Sequence, residues 1–475
     1  MSARFAPPRS EPVRPFWLAQ ALTLEARPEP APLTHDRDVD VCIVGGGYTG
    51  LWTAIQLKLT QPELTVALIE RDVCGAGASG RNGGCLLTLS TKYLSMRRLF
   101  GEAEALQLVR ESEHAVEAIA AFCRAHQIDA DIRLDGALYT ATSTAQLDAM
   151  VPVLAALDAA EANSWLHWPA PDVRKRAASH AHLEGHYSAL AGSVHPGKLV
   201  RGLARVARQL GVQLFENTAM ENLVHGERLE VVTPCATVRA GRVVLALNAW
   251  MATALPHFER SIALVSSDMV ITAPVPDLLA AIGLNHGTAV LDSRTFVHYY
   301  RSTCDGRVML GKGGNTFAYG NRMLPAFDAP SDYEAELTRA LRRFIPQLAE
   351  VPIAASWTGA SDRSVTGLPF FGRLQADSRV VYGFGYSGNG VGPSYLGGLI
   401  LKSLVLDEDN AWTRSGLATG PRGQFPPEPI RYVGALTVRD AIRRKEARED
   451  AGLPPRWWDA QMAKLAAAAG KADKG

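Results

Sequence analysis

Three glycines near the start of the chain have the spacing that holds the pyrophosphate of a dinucleotide. Gly45, Gly47 and Gly50 form GxGxxG between an apolar run at residues 41–44 and a helix-like stretch at residues 51–59. The first glycine permits a tight turn, the second lets a phosphate approach the backbone, and the third allows close packing of helix on strand. The start of the helix offers N–H groups and a partial positive charge to the phosphates. This context predicts a bound dinucleotide.

An acidic residue closes the next predicted strand. Residues 65–69 are mostly apolar, and Glu70 follows them at about the twenty-residue distance where an acid binds a ribose hydroxyl of the adenosine. Arg71 beside it could instead face the adenine. The alternative interpretation is that the glycines only form a turn between a strand and a helix. Here, however, the strand, the helix, the second strand and the acid follow one another in the expected order and at the expected spacing. The fingerprint by itself does not separate FAD from NAD(P).

A loop with almost no side-chain bulk follows the second strand. Residues 75–84 have the sequence GAGASGRNGG, in which only Arg81 and Asn82 are large. Such a loop lets the backbone crowd against a flat ring or a phosphate. A loop of purely structural glycines is the alternative.

These motifs together resemble a known family. GGGYTG followed by GAGASGRNGG resembles the FAD-dependent amine and amino acid oxidoreductases of the D-amino-acid-oxidase type, nearest to gamma-glutamylputrescine oxidase-like proteins. Segments 367–372 (GLPFFG) and 383–391 (GFGYSGNGV) are similar to closing segments that lie against the flavin ring in that family. The helix that follows, at residues 394–406, would direct its positive end toward the ring. The similarity covers about residues 36–406.

The resemblance implies a bound FAD and a set of contacts around it. The family holds the adenine by backbone near Met220, whereas Asn248 replaces a glycine that many relatives carry. Some relatives attach FAD through a cysteine, but none lies between Trp357 and Gly392, so we predict a non-covalent FAD. Cys85 is expected to be buried as a small apolar residue. The predicted FAD contacts are Gly45, Gly47, Tyr48, Thr49, Gly50, Glu70, Arg71, Ala78, Ser79, Arg81, Asn82, Gly83, Gly84, Cys85, Met220, Asn248, Gly359, Gly388, Asn389, Gly390 and Val391.

One strand-like segment carries candidate substrate contacts. In FVHYYR, alternation places His298 and Tyr300 on one face and Tyr299 and Arg301 on the other, and one pair should line the cavity over the flavin. The resemblance implies that such a strand contacts substrate, and an arginine with an aromatic ring suits an amine that carries an acidic group. An ordinary half-exposed strand is the alternative.

Four other residues have sequence positions that bear on the site. Trp357, Asp362 and Arg363 precede the closing segment and are candidates for contact with flavin or substrate, although structural roles are equally compatible with their positions. The position of His195 before a proline indicates a helix start rather than a catalytic base.

The resemblance implies oxidation of a C–N bond in a small amine, amino acid or related aminated acid. Hydride would pass to flavin N5, the imine would hydrolyse, and O2 would reoxidise the flavin to give H2O2 unless an electron carrier competes. The substrate stays open among a γ-glutamylated diamine, an N-methyl amino acid, a free amino acid and an aminophosphonate. The alternatives are an NAD(P)-dependent dehydrogenase, which has no use for the loop at 75–84, and a non-catalytic FAD-binding assembly protein.

The elements that must position these residues predict an α/β protein. It combines a Rossmann-type FAD-binding domain with a second, mixed α+β substrate domain built on an antiparallel sheet. Periodicity predicts helices at residues 102–126, 145–160 with a kink or a restart at Pro152, 438–450 and 457–469, the last two with a solvated charged face. The predicted domain ranges are an N-terminal arm at 1–36, the FAD-binding domain at 37–95, 190–262 and 350–406, the substrate domain at 96–189 and 263–349, and a helical C-terminal extension at 407–475.

Composition excludes several other classes of protein. The chain of 475 residues has 49 basic and 48 acidic side chains, and a net charge of +1 gives no field that would attract nucleic acid. Its six cysteines form no CxxC pair, which argues against a zinc site or a disulfide framework. No apolar run is long enough for a secretion signal or a membrane span. A reducing cytoplasm is the expected compartment.

Overall fold

The computed structural model describes residues 14–25, 31–466 and 472–473. The helices in these ranges are α1 Phe16–Leu24, α2 Tyr48–Thr60, α3 Tyr93–Phe100, α4 Glu102–Ala125, α5 Val151–Ala159, α6 Ala170–Ala177, α7 Pro196–Gln209, α8 Met251–Ala254, α9 Pro276–Ala281, α10 Glu334–Phe344, α11 Pro393–Val405, α12 Ala411–Arg414, α13 Ile430–Asp450 and α14 Trp457–Lys464. The strands are β1 Arg37–Val44, β2 Val66–Ile69, β3 Cys85–Leu86, β4 Ala137–Ala141, β5 Leu166–Trp168, β6 Glu184–Ser188, β7 Gly192–Ser193, β8 Gln213–Phe215, β9 Asn222–Val224, β10 Leu229–Val232, β11 Thr237–Leu245, β12 Ile262–Thr272, β13 Ala289–Asp292, β14 His298–Ser302, β15 Val308–Phe317, β16 Ile353–Ser364, β17 Phe370–Leu374 and β18 Asp377–Phe384.

The first sheet contains the predicted β-α-β unit. Its parallel centre has the strand order β18-β11-β1-β2-β8, with β17 antiparallel at one edge and β10 and β9 added to β11. Strand β2 is buried along its whole length, because a parallel sheet covered on both faces takes apolar side chains on both. Helices α2 and α11 pack against each other beside this sheet. The Rossmann-type arrangement predicted from the glycine motif is therefore confirmed.

The second sheet corresponds to the predicted antiparallel one. It has the strand order β16-β12-β15-β14-β13-β4-β6-β5 and is antiparallel except for the pairing of β13 with β4. The domain boundary predicted at residue 350 needs correction here. Strand β16 lies within the range 350–406 given to the FAD-binding domain, yet it pairs with β12 from Ile262↔Ser364 to Thr272↔Ile353. It therefore belongs to the second sheet.

Two helix predictions change in detail. The helix predicted at 145–160 begins only at Val151, and Pro152 stands in its first turn, so of the two predicted alternatives the helix starts there rather than kinking. Helix α13 begins at Ile430, and its charged face is only partly solvated. Glu446 is buried and accepts a hydrogen bond from the backbone N–H of Thr295, and Arg443 donates to Asn315. The extension is thus packed on the second sheet, and residues 467–469 of the predicted last helix lie outside the described residues.

The described part of the N-terminal arm docks on the body through an aromatic cluster. Trp17 in α1 is buried, and its ring meets those of Trp357 and His195 edge-on at centroid distances of 5.7 and 5.0 Å. The guanidinium of Arg301 lies 5.1 Å from the Trp17 ring centroid. This contact fixes the start of the chain beside the strand that carries the candidate substrate contacts. Residues 1–13 and 26–30 of the arm lie outside the described residues.

Two general features of the fold concern its helices and its cysteines. Within the described ranges, no helix combines the length and the apolar character that a bilayer span needs. All six cysteines fall in these ranges as free thiols, and four of them are buried.

Candidate active site

A cavity of about 600 Å³ lies between the two sheets. The first sheet contributes the glycine turn after β1 and the loops that follow β2 and β11, whereas Ser267, Met269 and Tyr299 reach it from the second sheet. The volume falls within the range of small-molecule and cofactor sites. The two glycine-rich segments, far apart in sequence, both line this one cavity.

All but two of the predicted FAD contacts line the cavity. The exceptions are Gly50 and Gly84. A Cβ on Gly50 would lie 2.0 Å from the carbonyl oxygen of Gly45, so this glycine lets helix α2 pack on β1, as expected for the third glycine of the motif. A Cβ on Gly84 would lie 2.1 Å from the carbonyl oxygen of Val194, on the far side of the loop. The contacts themselves with FAD stay a prediction.

Glu70 holds the backbone of the glycine turn. Its Oε2 accepts from the N–H of Gly46 at 2.8 Å, and its Oε1 accepts from the N–H of Asp72 at 3.0 Å. Burial raises the pKa of Glu70 even though these bonds act against that shift. The acid therefore orders the turn in addition to facing the cavity, and the ribose contact predicted for it stays a prediction.

Polar side chains stabilise the loop at residues 75–84. The hydroxyl of Ser79 accepts from the N–H of Tyr48 at 2.9 Å, which ties the loop to the start of α2. Arg81 donates to the carbonyl oxygens of Ala76 at 2.9 Å and Thr358 at 3.0 Å, and it pairs with Asp328 at 2.8 Å. The loop is thereby clamped between both sheets, so Arg81 has a positioning role besides lining the cavity.

A buried carboxyl joins the return of the first sheet to the closing segment. Asp362 accepts hydrogen bonds from the Asn248 side-chain amide at 3.0 Å and from the N–H of Gly385. Desolvation raises the pKa of Asp362 to about 6, although backbone hydrogen bonds oppose the shift. Asn248 has a φ of 47°, in the left-handed region that asparagine tolerates best after glycine, so it can stand where many relatives carry glycine.

The raised pKa of Asp362 predicts a pH-dependent contribution to stability. Its pKa rises from 3.8 to about 6 on folding, so the folded protein binds this proton more tightly than the unfolded chain. The resulting stabilisation is present below pH 3.8 and is lost as the pH rises to about 6. The loss is worth about 2–3 kcal/mol.

Asp362→Asn should remove this dependence. The free energy of unfolding is measured in urea for both proteins at pH 4 and pH 7. The difference between variant and wild type should rise by about 2–3 kcal/mol in favour of the variant over this range. A difference between the two proteins that is the same at both pH values would show that Asp362 does not titrate in this window.

Unsatisfied acceptors and hydroxyls face the cavity where a flat polar ring would fit. The side-chain oxygen of Asn389 and the hydroxyl of Ser361 are both buried and have no hydrogen-bond partner in the described part of the chain. Both residues line the cavity, as does Ser394 at the start of α11. A bound group with donors and acceptors on its edge would satisfy these atoms. The residues present therefore fit a flavin.

The candidate substrate strand places only one of its four residues on the cavity. Tyr299 lines it, with its hydroxyl 3.3 Å from that of Ser267. Tyr300 faces the other way, where its hydroxyl donates to a backbone carbonyl, and His298 pairs with a buried aspartate at 3.0 Å. Arg301 shares the face of Tyr299, but its guanidinium donates to the carbonyl oxygens of Gly83 at 2.7 Å and Val194 at 2.8 Å. The predicted substrate contacts of His298, Tyr300 and Arg301 therefore need correction, because these side chains are used inside the protein.

A small recess beside the cavity contains another arginine. Arg363 lines this recess, and Ser361 and Tyr299 line both the recess and the main cavity. The Arg363 side chain keeps part of its surface accessible, and burial lowers its pKa. The sequence position of Arg363 is compatible with contact with flavin or substrate and with a structural role. Its two-residue spacing from Ser361 on β16 puts both side chains on one face.

Comparisons with known proteins decide the family. A family model described as FAD dependent oxidoreductase (DAO) matches residues 40–404. The chain belongs to this family. It is 30% identical over 397 residues to the gamma-glutamylputrescine oxidoreductase of Escherichia coli strain K12, a match that covers 82% of this chain and 88% of that protein.

Solved structures of other proteins share the fold. The glycine oxidase of Geobacillus kaustophilus superposes with a TM-score of 0.67 at 23% identity, covering 82% of this chain and 100% of that one. The L-proline dehydrogenase of P. horikoshii superposes with a TM-score of 0.64 at 18% identity, covering 79% and 96% of the two chains. The family's cofactor is FAD, and the chain is an FAD-dependent oxidoreductase. The NAD(P)-dependent and non-catalytic alternatives are thereby set aside.

Proposed function

We propose that this protein oxidises the C–N bond of a small amine or amino acid that carries an acidic group. Support comes from the recess in which Arg363 adjoins the cavity beside Ser361, whose hydroxyl has no hydrogen-bond partner among the described residues. A guanidinium binds a carboxylate through paired hydrogen bonds, and burial strengthens that bond. The relatives named above for gamma-glutamylputrescine and glycine act on amines, which supports the same class of substrate.

The protein contributes positioning and a dry site to this reaction. FAD, when bound, would supply the hydride acceptor for oxidation of the carbon next to the amine nitrogen, and the resulting imine would be hydrolysed by water. Arg363 and Ser361 would hold the acidic end of the substrate and so fix which C–H bond faces the cavity. Burial raises the pKa of Tyr299, so its neutral hydroxyl can hydrogen-bond a neutral amine without placing a charge beside it. Low solvation at the site favours the uncharged amine that the reaction needs.

We further propose that FAD is held without a covalent bond and that O2 or an electron carrier reoxidises it. Cys85 lines the cavity but is buried, as expected for a cysteine that packs as a small apolar residue. Acid precipitation should therefore release all of the flavin into the supernatant. The choice between O2 and a carrier can be measured as the rate of H2O2 formation against the rate of dye reduction.

An anaerobic amine panel tests the proposed function. The yellow holoenzyme is mixed with γ-glutamylated diamines, N-methyl amino acids, free amino acids and aminophosphonates, together with amide analogues that lack the acid. Amines with an acidic group should bleach the flavin absorption, and their amide analogues should do so much more slowly. If no amine in the panel bleaches the flavin, the proposal fails. If the amides react as fast as the acids, only the acidic group is wrong.

A further inference from the structure

A side chain of the N-terminal arm reaches the FAD cavity. Arg14, which precedes α1, lines this cavity together with Glu70, Arg71 and Asp72 of the loop that follows β2. The family model matches residues 40–404. Arg14 therefore brings a guanidinium to the cavity from a segment outside the part of the chain that matches the family.

An aspartate of the cavity wall fixes the position of this guanidinium. Nη1 and Nη2 of Arg14 donate to the two carboxylate oxygens of Asp72 at 2.5 and 2.6 Å. Asp72 is itself held, because its N–H donates to Glu70 at 3.0 Å and its carbonyl oxygen accepts from the N–H of Asn217 at 2.7 Å. A guanidinium has five N–H donors, and the paired bond to Asp72 takes two of them. Arg14 is thus held in place with donors to spare.

Helix α1 covers the same loop from the outside. Leu18 and Leu22 are buried and cluster with Val73, and Ala76 packs against this cluster. A Cβ on Gly80 would lie 3.3 Å from the Cβ of Leu18. Ala76 also lines the cavity. The helix therefore forms a layer directly behind the cavity wall.

A carboxylate after the end of α1 ties the arm to this loop again. Glu25 accepts hydrogen bonds from Nε of Arg201 at 2.9 Å and from its Nη2 at 3.0 Å. Arg201 also pairs with Glu216, which accepts from the N–H of Cys74 at 2.7 Å. The arm is thus joined to the loop after β2 directly at Arg14, along α1, and through Arg201 at Glu25.

We propose that Arg14 belongs to the FAD site, where it binds the phosphate-bearing ADP half of the cofactor, and that the arm slows the release of FAD. Arg14 lies beside the residues that follow β2, among them Glu70, which is predicted to bind the adenosine ribose. A guanidinium suits phosphate oxygens because it offers paired, charged hydrogen bonds. The proposal concerns the cofactor alone, so it holds whichever amine the enzyme oxidises. No covalent step is involved.

The rate at which the holoenzyme releases FAD tests this role. The holoenzyme is diluted, and free FAD is measured over time by fluorescence and, in parallel, by absorption of an ultrafiltrate. Arg14→Met should release FAD about tenfold faster than wild type, because charged hydrogen bonds to the cofactor are lost. Arg14→Lys should fall between the two, since it keeps the charge without the paired donors. High salt should reduce the difference between Arg14→Met and wild type, because salt screens a partly exposed charge.

Two further variants separate this role from general loosening of the arm. Asp72→Asn should speed release in the wild-type background and add little in the Arg14→Met background, because the two side chains act as a pair. Arg239→Met breaks a matched pair with Asp36 of the arm, at 2.9 Å, in which neither residue lines a cavity. It should leave release unchanged, and circular dichroism checks that each variant is folded.

Three results would overturn the proposal. The first is a release rate of Arg14→Met that equals that of wild type. The second is an equal acceleration in Arg14→Met and Arg239→Met, which would mean that any loosening of the arm has this effect. The third is an equal effect of Asp72→Asn in both backgrounds. Because release of FAD is measured without substrate, these results are independent of whether any amine bleaches the flavin.

Discussion

Gly45→Ala is expected to yield a protein that purifies without yellow colour and binds added FAD at least about 100-fold more weakly, a loss of about 3 kcal/mol. Gly45 has a φ of +114°, which side-chain-bearing residues rarely adopt, and an added Cβ would lie 2.5 Å from the backbone carbonyl oxygen of Ala246. Ala246 follows β11 and also lines the cavity. Neither atom can move without shifting one of two central parallel strands, so the turn that faces the cavity must change shape.

Two further glycine variants make the result specific. A Cβ on Gly47 would lie 3.0 Å from the Ser79 hydroxyl, the end of a flexible side chain, so Gly47→Ala should weaken FAD binding less than Gly45→Ala. A Cβ on Gly434 in α13 would meet no atom within 4 Å, and Gly434→Ala should leave FAD binding unchanged. Titration of flavin fluorescence gives the affinities, and circular dichroism checks that each variant is folded. Full FAD affinity in folded Gly45→Ala would contradict the role assigned to this turn.

The glycine motifs predicted one end of the site well because their chemistry is local. Whether the turn at Gly45 can form depends on residues within a few positions along the chain, and the pattern of strand, glycines and helix appears directly in the sequence. The same holds for β2, whose apolar run predicted its burial. Gly50 was predicted to contact FAD, but it packs against the backbone of Gly45 and does not line the cavity.

The substrate end was harder to predict because it depends on contacts between distant segments. Alternation correctly separated Tyr299 from Tyr300. Arg301 shares a face with Tyr299, but only Tyr299 lines the cavity, because the Arg301 guanidinium donates to the backbone of Gly83 and Val194. Period-two patterning tells which side chains share a face and does not tell what covers that face. Arg14 likewise lines the cavity from the N-terminal arm and pairs with Asp72 at 2.5 Å, a contact across 58 positions that no local pattern shows.

Arg363 rather than Arg301 is the arginine proposed to meet the substrate, because of where each side chain lies. Arg301 has backbone carbonyls as acceptors and the Trp17 ring against its face, so it is a positioning residue for the loop at Gly83. Arg363 lies at the recess that shares Tyr299 and Ser361 with the cavity. Within the described residues these two arginines are thus distinguished by surroundings rather than by charge. The same reasoning makes Arg363 the decisive residue to replace.

Arg363→Met is expected to raise KM for amines that carry an acidic group by about 100- to 1000-fold, because a buried carboxylate that loses its charged partner costs about 3–4 kcal/mol. Arg363→Lys should restore only part of the affinity, since an ammonium cannot form the paired hydrogen bonds of a guanidinium. Amide analogues of the same amines should show nearly the same KM with wild type and variant. Steady-state kinetics with the acid and its amide measures the interaction between Arg363 and the acidic group, because the amide removes the charge on the substrate and the variant removes the charge on the protein.

A matched arginine outside the site controls for general effects of the substitution. Arg379 pairs with Asp377 at 2.7 Å on strand β18, away from the residues that line either cavity, and Arg379→Met should leave KM unchanged for acids and amides alike. The flavin spectrum of Arg363→Met should stay that of a loaded enzyme, so that a raised KM reports substrate binding rather than loss of FAD. If acids and amides lose affinity equally in Arg363→Met, the arginine supports the shape of the recess and does not bind the acidic group.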